Sequence, residues 1–196
     1  MREGPTVMAV PRPPRLQIAG GLYHVTAHSN VGRTVFRDDD ERAQFLAMLE
    51  LGVARCGWSC RSYCLLSTHF HLLVATPEPD LSAGMQYVNG RYAQWANWHR
   101  GERSHVFEGR FGSVLVETES HALEVHRYIA LNPVRAGLVR DPEEWPWSSL
   151  RGILGRERPL PFLDVDTVLG EFGASTATAR RRLRTFLREG VAGDTA

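Results

Sequence analysis

The sequence has no lysine: all 23 of its basic residues are arginine. Every side-chain cation other than histidine is therefore a planar fork suited to bidentate phosphate contact. An excess of charge of one sign is also missing. The 23 basic residues meet 22 acidic ones, for a formal net charge of +1. No whole-protein field draws in a polyanion, so a nucleic-acid site must rest on local clustering. No apolar run approaches the roughly 18 residues that signal a bilayer span, so no membrane partner is expected. Met1–Gln17 carries Arg and Pro without an apolar segment, so no secretory signal is expected either. Cysteine is scarce. Cys56, Cys60 and Cys64 are odd in number and close together, which excludes a disulfide framework and fits a reducing cytoplasm. At four-residue spacing they read as packing on one strand face rather than as a metal site. There is no Gly-rich phosphate loop with Lys, no G-x-S-x-G and no zinc-finger spacing. His24-Val25-Thr26 is an H-x-T, but the second H-x-[ST] of a two-histidine phosphodiesterase is missing.

What is present is enough for one ordinary domain: 196 residues, 43% of them hydrophobic. Residues 1–17 read as an extended Pro/Arg-rich arm. Gly21–Ala27 alternates as a strand. Asp38 caps a helix, with Glu41 at capping-box spacing. Trp58–Leu66 and Thr68–Thr76 read as two strands joined tightly at Ser67. Asp80 can cap the next helix, where Leu81, Met85, Val88, Tyr92 and Trp95 recur at helical spacing. His105–Glu117 alternates and reads as strand or hairpin. Thr118 or Ser120 starts a helix that Pro133 is expected to stop near Asn132, because the residue before proline is pushed out of the helical region. The last forty residues look helical, with Ala179, Leu183, Phe186 and Leu187 as the apolar stripe. This order predicts an α+β fold, an antiparallel sheet with helices on one face.

The segment with the most chemistry is Thr68-His69-Phe70-His71-Leu72-Leu73-Val74. Alternate residues of a strand share a face, so His69 and His71 project together while Phe70, Leu72 and Val74 enter the core. Two such imidazoles suit one metal ion; two unrelated histidines are the alternative. On the helix after Thr118, His121, Val125, Tyr128 and Asn132 share a face, with Tyr128 and Asn132 one turn apart. Asn132 can offer a carbonyl oxygen to a metal, and Tyr128 a phenol to an electrophile. Free tyrosine, with a pKa near ~10, needs assistance to act as a nucleophile. The alternative is a packed Tyr and an Asn that caps the helix end. The basic candidates are Arg91, Arg110, Arg127 and Arg135. Residues 175–190 add five Arg against one Glu, a helix able to follow a phosphate backbone or simply a solvated face. Five Trp and five Tyr offer surface on which unpaired bases stack, though most are expected in the core.

Together these segments resemble one family, the REP-associated tyrosine transposases, a branch of the single-tyrosine HUH transposases of insertion sequences. The matching residues are Gly21-Leu22-Tyr23-His24-Val25-Thr26, Phe36-Arg37-Asp38-Asp39, Tyr63-Cys64-Leu65 and Thr68–Val74. Asn89-Gly90-Arg91-Tyr92 and Phe107-Glu108-Gly109-Arg110-Phe111 follow, then Arg127–Val139 and Trp145-Pro146-Trp147-Ser148-Ser149. The H-x-H alone is weak; followed by Tyr-x-x-x-Asn-Pro it is specific. The resemblance implies a ferredoxin-like or RRM-like fold, with a catalytic domain over 18–152. Residues 153–196 would form a helical extension and a candidate DNA contact. It implies His69, His71 and Asn132 as ligands of Mg²⁺ or Mn²⁺, and Tyr128 as the nucleophile on single-stranded DNA near imperfect hairpins such as repetitive extragenic palindromes. Arg91, Arg110, Arg127 and Arg135 would hold that DNA. No nucleotide cofactor is implied. A monomer is expected, with a homodimer as the alternative, working in the cytoplasm on nucleoid DNA. The competing functions are a hairpin-binding regulator of the same fold without the chemistry, and a structural metal protein. One residue departs from the pattern: Thr68 stands where the family commonly has Asn, which could alter a hydrogen bond to a metal ligand.

Overall fold

The computed structural model describes residues 17–30 and 32–193; the arm expected over 1–17 lies outside the described residues except for Gln17. Strand β1 (Gly21–His28) buries Tyr23, Val25 and Ala27 on one side and turns Leu22, His24, Thr26 and His28 to the other. Strand β3 (His69–Thr76) runs antiparallel to it along its whole length, from Gly21 opposite Thr76 to His28 opposite His69. Strand β2 (Ser59–Leu65) lies on the outer edge of β3, and β4 (Gly112–Leu115) on the free edge of β1. The order is β2-β3-β1-β4 with every neighbour antiparallel, the expected ferredoxin-like sheet.

Helices α1 (Asp39–Cys56) and α2 (Leu81–Arg100) cover the face of Tyr23, Val25, Phe70, Leu72 and Val74. Helix α3 (Glu119–Arg135) departs from the one-face expectation: Ala122, Val125 and Ile129 pack on Cys64, Leu66 and Leu73, on the opposite face. The reason is visible in β3. The run Phe70–Ala75 is apolar at almost every position, and a strand without polar alternation needs cover on both sides. The expected strand over His105–Glu117 is reduced to β4, with one isolated bridge from Phe107 to Ser29. The alternation breaks at the exposed Glu108-Gly109-Arg110.

Local chemistry explains the helix ends. Asp38 caps α1 by accepting the Glu41 N–H at 2.9 Å. The Glu41 carboxylate reaches back one residue further than the capping box requires, accepting the Arg37 N–H at 2.7 Å, and it also binds Arg100 Nε at 2.7 Å. Asp80 does not cap α2. Its Oδ1 accepts the Trp58 indole N–H at 2.8 Å, and Gln17 accepts the Ser82 N–H at 2.6 Å instead. The Trp58–Asp80 bond pins the indole ring over Gly84, where a Cβ would overlap the ring. Gly84→Ala therefore sets an overpacking cost of ~1–3 kcal/mol against the ~1 kcal/mol that Ala gains over Gly in a helix. We expect a net loss of up to about 2 kcal/mol, read as a lower urea midpoint at unchanged slope.

A bulge between Cys60 and Ser62 turns the two halves of β2 to different faces. Cys60 therefore joins the α1/α2 core and Cys64 the α3 face, while Cys56 ends α1. The three thiols do not share a strand face, but they are packing residues as expected. Burial pushes the Cys60 thiol up to about 12 and raises Cys64 as well, which leaves both inert.

Beyond α3 come a 3₁₀ turn (Pro142–Glu144), α4 (Leu150–Ile153), α5 (Val165–Gly170) and α6 (Thr176–Gly193). Ile153, Leu163, Val168, Ala179, Leu183 and Leu187 are buried in one cluster with Phe45, Phe70 and Leu72. The apolar core thus runs on without a break across residue 152. Among the described residues no helix is long and apolar enough to cross a membrane.

Candidate functional site

Three elements supply the site: β1, β3 and α3. Helix α3 is placed first. Thr118 caps it by accepting the His121 N–H at 3.1 Å, and Val125 and Ile129 seat it on the sheet. His126 locks it there: its Nδ1 shares a 2.5 Å hydrogen bond with Ser62 Oγ on β2. Its Nε2 stands 3.3 Å from Glu171 Oε2 without hydrogen-bond alignment. Ser62→Ala would leave His126 Nδ1 buried without its partner. We expect a loss of about 1–3 kcal/mol, measured by urea unfolding. The helix does not stop at Asn132. It runs through a buried Pro133 to Arg135, closed by the Ala136 N–H on the Asn132 carbonyl at 2.9 Å. Proline removes one N–H from a helix interior, but here only one turn remains and the proline ring is buried. Asn132 consequently keeps helical geometry and points at the sheet one turn beyond Tyr128.

His71 is the centre of the arrangement and is 3% exposed. Its Nε2 lies 3.1 Å from Asn132 Nδ2, and its Nδ1 lies 3.1 Å from His24 Nε2. The Asn132 side chain also bonds His69. The ring of His69 stands 5.0 Å from that of His71, edge to face, and stacks on His28 at 4.9 Å. Thr68 Oγ1 lies 3.0 Å from His69 Nδ1, so the residue that departs from the family pattern still gives this imidazole a hydrogen-bond partner. The Tyr128 ring meets His71 at 5.2 Å and His24 at 5.7 Å, and the Arg135 guanidinium lies 5.3 Å from its centroid. Tyr128 is 41% exposed. It borders a groove of about 510 Å³ between α3 and α6, lined also by His121, Glu124, Arg127, Arg135 and Glu189.

The electrostatics favour neutral imidazoles. Burial holds the pKa of His71 down to about 3, and His24, His69 and His28 add to the effect. Burial, with His121 nearby, lowers His24 to about 4. His69 is lowered by burial and by His28, against the opposing bond from Asn132. Neutral imidazole is the form that binds metal.

The residues singled out in the sequence fall into two groups. His69, His71, Tyr128 and Asn132 come together. Arg127 and Arg135 line the groove beside Tyr128, with Arg127 paired to Glu124 at 2.5 Å and lying 4.4 Å over Phe186. Arg91 is not brought to the site. It lies on α2, across the sheet, with its guanidinium 5.3 Å over the Tyr87 ring. Arg110 stands exposed on the loop leading into β4 and does not line the groove. Sequence reasoning missed His24 and His28. Their signal was the alternation of β1, which puts both on one face. The register then sets His28 opposite His69 and Thr26 opposite His71.

The donor set can be tested against a divalent cation. Among the described residues no three His, Cys, Asp or Glu side chains cluster as a ready-made metal site. The candidate ligands are instead two imidazoles and an amide. The oxygen and nitrogen of an amide exchange by a half turn, so Asn132 can face the imidazoles with Oδ1. An amide oxygen with water and phosphate suits Mn²⁺ or Mg²⁺, and neutral imidazole nitrogens are general ligands of divalent metals. The residues fit the group.

Comparison with known proteins agrees with the fold. The structure superposes with a TM-score of 0.66, at 15% identity, on the structure described as a REP-associated tyrosine transposase bound to a REP hairpin, covering 85% of this chain and 93% of that one. The family of IS200-like transposases matches residues 18–132, and the chain belongs to that family. A Haemophilus influenzae protein provisionally named a REP-associated tyrosine transposase is 27% identical over 97 residues, 44% of this chain and 55% of that one. The chain thus matches about half the length of that curated relative.

Proposed function

We propose that the protein is a metal-dependent single-stranded DNA nuclease and strand transferase, a transposase acting at imperfect hairpins. The observation that carries the reading is the convergence of Tyr128 and Asn132 from α3 on His71 and His69 from β3. The hairpin-bound structural neighbour supports the choice of substrate.

In this reading His69, His71 and the Asn132 oxygen hold Mg²⁺ or Mn²⁺. The cation, when bound, polarises the scissile phosphate and neutralises the charge that develops on its oxygens. Tyr128 Oη attacks that phosphorus in line. The Oη–P bond forms as the bond to the 3′ oxygen breaks; the phenol loses its proton, and the departing oxygen gains one. The products are a 5′-phosphotyrosine ester and a free 3′-hydroxyl. One phosphodiester replaces another, so a second 3′-hydroxyl can reverse the step and join a new strand without a nucleotide cofactor. His71 and Arg135 both contact the Tyr128 ring and hold it at the edge of the groove. Arg135 and Arg127 border the path of the strand, with phosphate as their natural partner. Tyr128 meets the histidines of its own chain, the arrangement that action as a monomer requires. Work on nucleoid DNA in the cytoplasm belongs to the same proposal.

The test is covalent trapping. Purified protein is mixed with Mn²⁺ and labelled single-stranded oligonucleotides carrying hairpin repeats from the source genome, then run on a denaturing gel. A shifted, protease-sensitive band is expected. Specific hairpin binding without any adduct would instead assign the protein as a regulator that keeps the fold and lacks the chemistry.

A further inference from the structure

We propose that His24, on β1, is a positioning residue that sets which ring nitrogen of His71 carries the proton and so keeps the His71 Nε2 lone pair facing Asn132. The proposal rests on the reading of His71 as a metal ligand. It starts from the two contacts of one buried ring. His71 Nδ1 lies 3.1 Å from His24 Nε2, and His71 Nε2 lies 3.1 Å from Asn132 Nδ2. A hydrogen bond between two imidazole nitrogens needs one proton, on one side. Two arrangements follow.

In the first, His71 Nδ1–H donates to a bare His24 Nε2. The His71 Nε2 then has a free lone pair, and the Asn132 amide donates to it. In the second, His24 Nε2–H donates to His71 Nδ1. The proton of His71 then sits on Nε2, where it points at Asn132 and blocks ligation. Only the first arrangement leaves a nitrogen able to hold a cation next to the Asn132 amide. A ligating histidine usually gives its other N–H to a neighbour that fixes both tautomer and ring angle, and His24 occupies that place for His71. Strand register delivers it. His24 pairs with Leu73 and Thr26 with His71, so His24 and His71 are diagonal neighbours on one face of the sheet. The other imidazole has a partner of its own in Thr68.

Three proteins test this: wild type, His24→Leu and His24→Gln. Leu fills space without accepting; the Gln oxygen can accept near the place of Nε2. Long-range ¹⁵N spectra of metal-free protein report the protonated nitrogen of His71, and calorimetric titration with Mn²⁺ alone reports affinity. In wild type His71 is expected as the Nδ1–H form. His24→Leu moves the proton toward Nε2 and weakens Mn²⁺ binding on the order of 10–100-fold, while His24→Gln stays near wild type in both. A merely structural histidine would move the melting temperature and leave the tautomer and Mn²⁺ affinity alone. A wild-type His71 protonated at Nε2, or a His24→Leu protein with wild-type Mn²⁺ affinity, overturns the proposal. Should wild type carry the Nδ1–H form and still bind no Mn²⁺, the metal reading itself fails and the assigned role of His24 falls with it.

Discussion

Tyr128→Phe removes one oxygen and should abolish the covalent DNA adduct while leaving hairpin binding intact. The ring makes the structural contacts of Tyr128: edge-on to His71 at 5.2 Å, edge-on to His24 at 5.7 Å, and under Arg135 at 5.3 Å. Phenylalanine keeps all three, so the shape of the groove and the seat of α3 are preserved. The hydroxyl is the attacking atom in the proposed reaction. His121 borders the same groove, but attack by it would give an acid-labile phosphoramidate in place of a phosphotyrosine. Loss of an enzyme nucleophile reaches about 10⁶-fold in well-studied cases. On a denaturing gel the expectation is complete disappearance of the protease-sensitive band at every time point. A native gel should give the same hairpin affinity for both proteins. An adduct that survives in Tyr128→Phe would overturn the assignment of the nucleophile.

How much of this was legible in the sequence depends on distance along the chain. The pair His69 and His71 is a local pattern, and strand geometry alone puts both on one face. Tyr128 and Asn132 are equally local, one helical turn apart. That these two pairs meet was carried by family resemblance, because nothing in residues 69–71 says which helix will cover them. His24 and His28 were readable as one face of β1, but their meeting with β3 depends on register, and a slip of one residue would turn both away. The second face of the sheet was hidden for a related reason. An apolar run such as Phe70–Ala75 permits either one covered face or two, and the choice is made by Ala122, Val125 and Ile129 some fifty residues later. Pro133 misled because the local rule for proline is a statement about free energy. One forgone hydrogen bond in the last turn is offset when the ring is buried. Arg91 is a candidate by residue type and family position alone; the tertiary structure puts α2 on the far side of the sheet from the histidines.

His71→Ala should have the second large effect, and the surroundings of the residue allow its two parts to be separated. The first part is stability. His71 is buried between His24 and Asn132, and its removal strands a nitrogen on each. Metal-free protein should lose about 1–3 kcal/mol, read in urea. The second part is the metal. With one imidazole and the Asn132 amide left, Mn²⁺ affinity should fall by more than the roughly 10–100-fold that loss of a supporting hydrogen bond costs. Cleavage should fall further, because the cation is asked for several kcal/mol of charge stabilisation, about 10³-fold in rate. His69→Ala separates the two parts. His69 is only half-buried, so the stability loss should be smaller while the Mn²⁺ deficit stays comparable. Chelation of wild type with EDTA should reproduce the catalytic loss and return the urea midpoint to that of metal-free wild type, above that of metal-free His71→Ala, since the hydrogen bonds of His71 to His24 and Asn132 need no metal. If cleavage by His71→Ala were lost only in proportion to its unfolded fraction, His71 would be a core histidine, and the site would have to be sought elsewhere along the groove.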